Sequence, residues 1–214
     1  MTQDLIKGLE AFKRDQYSDA GEHLMPQLVK EGQSPEYFII SCIDSRSNPS
    51  TIFRTRPGSF FAHKAMGAII RPYKQGTALA AALQFALSYN KVDKIIVLGH
   101  TKCGAIQALV DNLDDPEISS FVNVTKNALI QAKSCCNEHD KIIARTEQEV
   151  VLESVENLKK YPSVAQALQE KRVKIFPWIF NMEEGTLLEY NTNNKTFEII
   201  STTEPIKEDQ EQHA

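Results

Sequence analysis

Apolar residues recur at helical spacing in the first part of the chain, at Leu5, Ile6, Leu9 and Phe12 and again at Leu24, Leu28 and Val29. The pattern predicts two helices within residues 3–31, broken near Tyr17–Asp19. Gly32-Gln33-Ser34-Pro35 then stops the helix. From there the period changes. Tyr37–Ser41 is a short, bulky apolar run, and Asp93–Leu98 (DKIIVL) is continuous from Ile95. Both predict strands, the second as in a parallel sheet buried on both faces. Between them, residues 47–60 hold Pro49, Pro57 and Gly58 and predict a loop with a short helix. Phe60–Phe61 and Ala68–Ile70 flank an expected extended segment, His63-Lys64-Ala65-Met66. Residues 76–90 (GTALAAALQFALSYN) give the clearest helix, Ala- and Leu-rich without an internal breaker. Further helices are predicted from Gly104 to Asn112, over 116–136 and over 146–170. Val173–Phe176 predicts a strand. Leu187–Tyr190 and Thr196–Ile200 predict a hairpin around Asn191-Thr192-Asn193-Asn194.

Strands alternating with helices predict an α/β fold with a mainly parallel central sheet flanked by helices. The expected organisation is an N-terminal helical arm at 1–31, one α/β domain at 32–203, and a loose acidic tail at 204–214. A chain of 214 residues is long enough to bury a sizeable core as one domain.

Composition adds exclusions rather than a function. The chain is 42% hydrophobic and 24% charged, ordinary for a soluble globular protein. No window has the apolar length to span a bilayer. Met1–Glu10 is polar and carries acid, unlike a signal or transit peptide. A net charge of −4 leaves no basic footprint for nucleic acid and no polybasic membrane patch. Four cysteines in a chain this long are not a disulfide framework. They are expected to be reduced, in a cytoplasmic protein.

Two motifs carry the chemistry: C-I-D-S-R at 42–46 and G-H-T-K-C-G at 99–104. Each follows a predicted strand, and ligands of open α/β sheets bind outside the carboxyl ends of strands. A lone Cys42 would be read as a small hydrophobe. Cys42, His100 and Cys103 together are a borderline-soft set of two thiolates and an imidazole, which suits Zn²⁺. Three protein ligands leave a fourth position for water, as in a zinc hydrolase or hydratase. Asp44 and Arg46 share a side of an extended segment, and a bidentate pair would hold the carboxylate ionised. That carboxylate would either orient a zinc-bound water or take the fourth zinc position itself. Cys135-Cys136-x-x-His139 has no strand framework and is expected to be a helix end with incidental thiols. Adjacent cysteines also bridge each other poorly. His23, His63 and His213 have no ligand spacing. Glu147–Glu149 with Glu153 and Glu156 is expected to be a solvated helix face.

With C-I-D-S-R, P-G-x-x-F at 57–61 and G-H-T-K-C-G in this order, the chain resembles the β-class carbonic anhydrases, favouring their plant-like branch. The resemblance continues weakly into P-W-I-F-N-M-E-E-G at 177–185. It implies one zinc per chain on Cys42, His100 and Cys103, with Asp44–Arg46 as a catalytic dyad. The implied activity is carbonate dehydratase: reversible hydration of carbon dioxide to bicarbonate and a proton by zinc-bound hydroxide, which the dyad orients. Substrate-facing residues would be Gln33, Phe61, Met66 and Phe85, with Gly104 beside them. The implied assembly is a homodimer or homotetramer built with the N-terminal helices. Another branch binds bicarbonate away from zinc through Trp, Arg and Tyr, and those positions here hold Ile39, Lys64 and Phe180. The family usually has Arg-Asn where this chain has Lys64-Ala65, which puts rate and substrate choice in question. Two alternatives therefore stand beside the main expectation. One is hydrolysis of a carbon dioxide analogue such as carbonyl sulfide, and the other is a low-turnover member that binds zinc or senses bicarbonate.

Overall fold

The computed structural model describes residues 2–19 and 22–200, so the expected tail from Glu204 lies outside the described residues. Six strands form one sheet in the order β2-β1-β3-β4-β5-β6. They are β1 (Tyr37–Cys42), β2 (Phe60–Ala65), β3 (Lys94–His100), β4 (Lys174–Asn181), β5 (Thr186–Asn191) and β6 (Thr196–Ile199). The first four are parallel, and β5 and β6 close one edge antiparallel. This is the expected α/β architecture.

Alternation along the central strands sorts the core into two faces. Phe38 and Ile40 of β1 and Ile95 and Val97 of β3 share one cluster with Leu83, Val151, Val155 and Val164. Those partners come from α4 (Thr77–Gln84), α8 (His139–Leu158) and α9 (Pro162–Gln169), which cover that face. Ile39, Ile96 and Leu98 point to the other face, against Phe53, Trp178 and Leu187. Mostly aromatic side chains, with Leu187, pack on this second face, and a cavity of about 350 Å³ remains on it. The arm helices α1 (Gln3–Tyr17) and α2 (Leu24–Glu31) bury no residue.

Several boundaries depart from the sequence pattern. The helix expected over 76–90 leaves the α form after Gln84 and ends in a π-helical turn, Phe85–Tyr89. Such a turn has no propensity signature. The segment expected over 146–170 is two helices. Pro162 opens the second, and buried Tyr161 at the break donates its hydroxyl to the Arg71 carbonyl at 2.8 Å. The segment expected over 116–136 is likewise divided, into α6 (Pro116–Val122) and α7 (Lys126–Cys135). The strand expected at Val173–Phe176 runs on through Pro177 to Asn181. Proline is tolerated there because pairing with β5 begins only at Trp178. The extended segment expected at His63–Met66 lies in β2 as far as Ala65, and Met66–Ala68 after it is a tight turn with positive φ at Gly67 (63°) and Ala68 (53°).

One glycine sets the distance between α8 and the sheet. A Cβ on Gly99 of β3 would lie 2.5 Å from Val151 Cγ2 of α8. Valine is stiff at χ1 and cannot swing aside cheaply. Gly99→Ala should therefore push α8 outward and cost about 1–3 kcal/mol. Chemical denaturation should show a lowered midpoint, and an unchanged midpoint would contradict the close approach.

Candidate metal centre

β1 and β3 are neighbours, with Ser41 opposite Leu98. Their last residues, Cys42 and His100, therefore emerge side by side at the carboxyl end of the sheet. β2 lies on one side of β1 and β3 on the other, so this is the topological switch point where such sheets open a crevice. Cys103 follows His100 by one turn and precedes α5 (Gly104–Val110). The three ligand atoms all lie within 4.8 Å of one another, and the two Sγ atoms are 4.0 Å apart. The residues are 3%, 2% and 3% exposed.

The protonation pattern of the cluster suits a cation. His100 Nδ1 lies 2.8 Å from the Thr101 carbonyl, which can only accept, so Nδ1 carries the proton. That leaves a lone pair on Nε2, which is buried and has no hydrogen-bond partner. An orphaned buried acceptor is rare without a ligand to satisfy it. Cys42 Sγ accepts the backbone N–H of Gly67 at 3.3 Å and of Asp44 at 3.4 Å. The Gly67 bond explains the positive-φ turn after β2: the chain wraps around this sulfur. Sharing a proton with Cys103 holds the Cys42 thiol well below the ordinary thiol range, against the opposing effect of burial. The same sharing, with burial, pushes Cys103 up. At His100 burial opposes the charged imidazole, but the Cys42 sulfur and the Thr101 carbonyl outweigh it and raise its pKa. Two sulfurs and one imidazole nitrogen fit a borderline-soft divalent ion.

Asp44 stands beside this set without joining it. Its Oδ1 accepts from Arg46 Nε at 3.0 Å and from the Arg46 backbone N–H at 2.9 Å, and its Oδ2 accepts from Arg46 Nη2 at 2.8 Å. The fork holds the Asp44 carboxyl well below the usual carboxylate range, although burial pulls the other way. Oδ2 is 4.0 Å from His100 Nε2, so the carboxylate borders the face where a fourth ligand would stand.

The other expected site residues divide by position. Met66 packs against the cluster that holds Cys42 and Cys103. Gly104 opens α5, and a Cβ there would meet nothing within 4 Å. Gln33, Phe61 and Phe85 lie elsewhere in the same chain. Gln33 is exposed before the start of β1, and the six residues of that strand span about 20 Å. Phe61 pairs with Phe38 near the same far end and meets Phe85 edge-on at 5.9 Å. Ile39 and Phe180 belong to one apolar cluster, while Lys64 donates to Ser41 Oγ at 3.2 Å. Cys135 and Cys136 do not join a three-ligand group, because His139 Nε2 pairs with Asp111 Oδ1 at 2.7 Å.

The expected solvated glutamate face holds at Glu156, which is exposed, and is corrected at Glu147 and Glu149. Glu147 is 5% and Glu149 7% exposed. Glu149 pairs with Arg145, and Glu153 accepts the Ala128 N–H at 3.1 Å. Glu147 accepts the Cys103 N–H at 2.9 Å, and its burial raises its pKa to about 6. The signal was present: Glu147 shares the helical stripe of Val151, Val155 and Leu158, which are core. α8 also pairs with the far end of α5 through His139 and Asp111. It thus splints the helix that begins at Cys103.

Residues 37–187 match the carbonic anhydrase family model. The chain belongs to the β-carbonic anhydrase family. Members of this family are lyases. The chain is 30% identical to β-carbonic anhydrase 5 of Arabidopsis thaliana chloroplasts, over 86% of its own length and 62% of that protein's. It is also 30% identical to a carbonic anhydrase of Pseudomonas aeruginosa, over 86% of each chain. The solved structure of the β-carbonic anhydrase CcaA superposes with a TM-score of 0.83 at 30% identity, covering 92% of this chain and 98% of that one.

Glu147→Leu in this β-carbonic anhydrase chain should lower the affinity for a divalent metal by about 10–100-fold. Glu147→Gln, which keeps an acceptor oxygen, should stay within a few-fold. Competition against a chelator measures both. Wild-type affinity in Glu147→Leu would show that the Cys103 N–H needs no carboxylate.

Proposed function

We propose that the protein is a zinc-dependent carbonic anhydrase that interconverts carbon dioxide and bicarbonate. The observation that carries this is the orphaned His100 Nε2 between two buried cysteine sulfurs, in a chain of this family. Cys42, His100 and Cys103 would hold the ion. Zinc, when bound, supplies a Lewis acid that activates water near neutral pH. Asp44 is an acceptor-only carboxylate, kept ionised and in place by the Arg46 fork. Its Oδ2 accepts a hydrogen bond from the water to be added, and so aims that oxygen's lone pair at the substrate carbon. Arg46 positions Asp44 rather than touching substrate. A surface cavity of about 460 Å³ beside the end of β1 offers carbon dioxide apolar wall from Ala65, Met66, Ile118 and Phe121, with His63, Lys64 and Glu117 also lining it. The four free cysteines suit a reducing, cytoplasmic setting.

The purified chain should contain one zinc ion and hydrate carbon dioxide in a stopped-flow assay. Cys103→Ala should lose the metal. Asp44→Asn should keep metal and fold but lose about 10²-fold or more in turnover. Absence of zinc would remove the metal assignment, and near-wild-type turnover in Asp44→Asn would remove the dyad. Carbonyl sulfide, supplied in parallel, tests the analogue activity.

The assembly is part of the same proposal: a homodimer, or a homotetramer built from it. Leu5, Ile6, Leu9 and Phe12 of α1 are exposed, and so is no comparable stripe on α9. The second sheet face, with Ile39, Ile96, Trp178 and Leu187, carries an open apolar cavity. The arm of one copy covers that face on another. In this arrangement Gln33, Phe61 and Phe85 serve the cleft of a second copy rather than their own. Removal of residues 1–31 should convert the oligomer to monomer in sedimentation, and an equally stable oligomer would contradict the arm's role.

A further inference from the structure

α7 ends in two adjacent thiols that the metal centre does not use. Cys135 is its last residue and is exposed, and Cys136 caps it with extended backbone (φ −133°, ψ 139°). Their Sγ atoms are 3.2 Å apart. Among the described residues only Cys42, His100 and Cys103 form a group of three metal-ligating side chains. The pair therefore has no third protein ligand, which excludes a closed zinc tetrahedron.

Disulfide closure is also opposed. It would draw the sulfurs to about 2.0 Å, whereas adjacent Cα atoms sit about 3.8 Å apart, below the usual disulfide range of about 4.4–6.8 Å. An atom that bridges the sulfurs leaves them where they are. Such an atom must be soft enough to prefer thiolates and content with few ligands. Trivalent arsenic, three-coordinate and pyramidal, meets both conditions, with its third position held by its own substituent. Sharing a proton with Cys135, together with burial, raises the Cys136 thiol, and Arg145 and Lys141, in the first two turns of α8, oppose that rise.

We propose that Cys135 and Cys136 form a chelating site for one trivalent arsenical, separate from the metal centre. With an arsenoxide the step balances without redox. Two As–S bonds form, the As–O bonding is lost, and the two thiol protons leave with the oxygen as water. Arsenic stays trivalent throughout.

Phenylarsine oxide titrated into the zinc-loaded full chain, followed by native mass spectrometry, tests this. One adduct per chain is expected, with the mass of the arsenoxide less one water and with zinc retained. A dithiol should strip it and an equivalent monothiol should not. Cys135→Ser and Cys136→Ser should each weaken binding by about 10²-fold or more, since chelation is lost. Wild-type affinity in either serine variant, two monothiol adducts, or uptake accompanied by zinc release would overturn the proposal. The serine variants report on this site whether or not the chain holds zinc, so failure of the carbonic anhydrase proposal is read separately.

Discussion

Two sulfurs and an imidazole nitrogen are buried within 4.8 Å of one another. Much of the fold is arranged around the cost of that proximity. Taken alone, the set is unfavourable. Two thiolates would repel in a low-dielectric interior, so one must keep its proton, and His100 Nε2 has no partner at all. A divalent cation removes all three costs at once. The same charge logic explains why Asp44 is turned toward Arg46. A third anion facing the sulfurs would add repulsion, whereas the guanidinium fork keeps it charged and at a fixed distance.

The scaffold enforces the geometry from two directions. Parallel pairing of β1 and β3 fixes where Cys42 and His100 leave the sheet. Cys103 has no strand to hold it and depends on α8, which approaches closely only because Gly99 lacks a side chain. Val151 meets Gly99, and one turn earlier on the same stripe Glu147 reaches the Cys103 N–H. A buried carboxylate at a helix start is costly unless it is hydrogen-bonded, and here it also faces the positive end of α5. Strand pairing, the missing Cβ, helix approach and ligand position are links of one chain.

How much of this was legible in the sequence follows from what each feature rests on. β1 and β3 were plain as apolar runs, and the ligands were plain because strand-end placement is a topological rule that needs no coordinates. Glu147 has carboxylate neighbours that suggest solvent, but the helical stripe it shares with Val151 carries it into the core. The π-helical turn at Phe85–Tyr89 and the turn at Met66–Ala68 had no local signal. The second answers to a hydrogen bond from Gly67 to a sulfur 25 residues away in the chain. The resemblance implies Gln33, Phe61 and Phe85 as substrate-facing; in the fold Gln33 precedes β1, Phe61 pairs with Phe38 near its start, and Phe85 lies in the π-helical turn against Phe61.

The two cysteine pairs show how little residue type decides by itself. Cys42 and Cys103 are separated by 61 residues, yet strand pairing and α8 bring them together in a dry site with an imidazole, where a hard-won third ligand makes a borderline divalent ion the natural occupant. Cys135 and Cys136 are joined by a peptide bond, and their sulfurs are closer still, at 3.2 Å. Cys135 is exposed and Cys136 half-buried, and the nearby His139 is tied to Asp111. Shallow burial of Cys136 and exposure of Cys135 leave little desolvation cost for a cation to relieve. What remains is a pair of adjacent thiols, whose selectivity rests on softness and chelation.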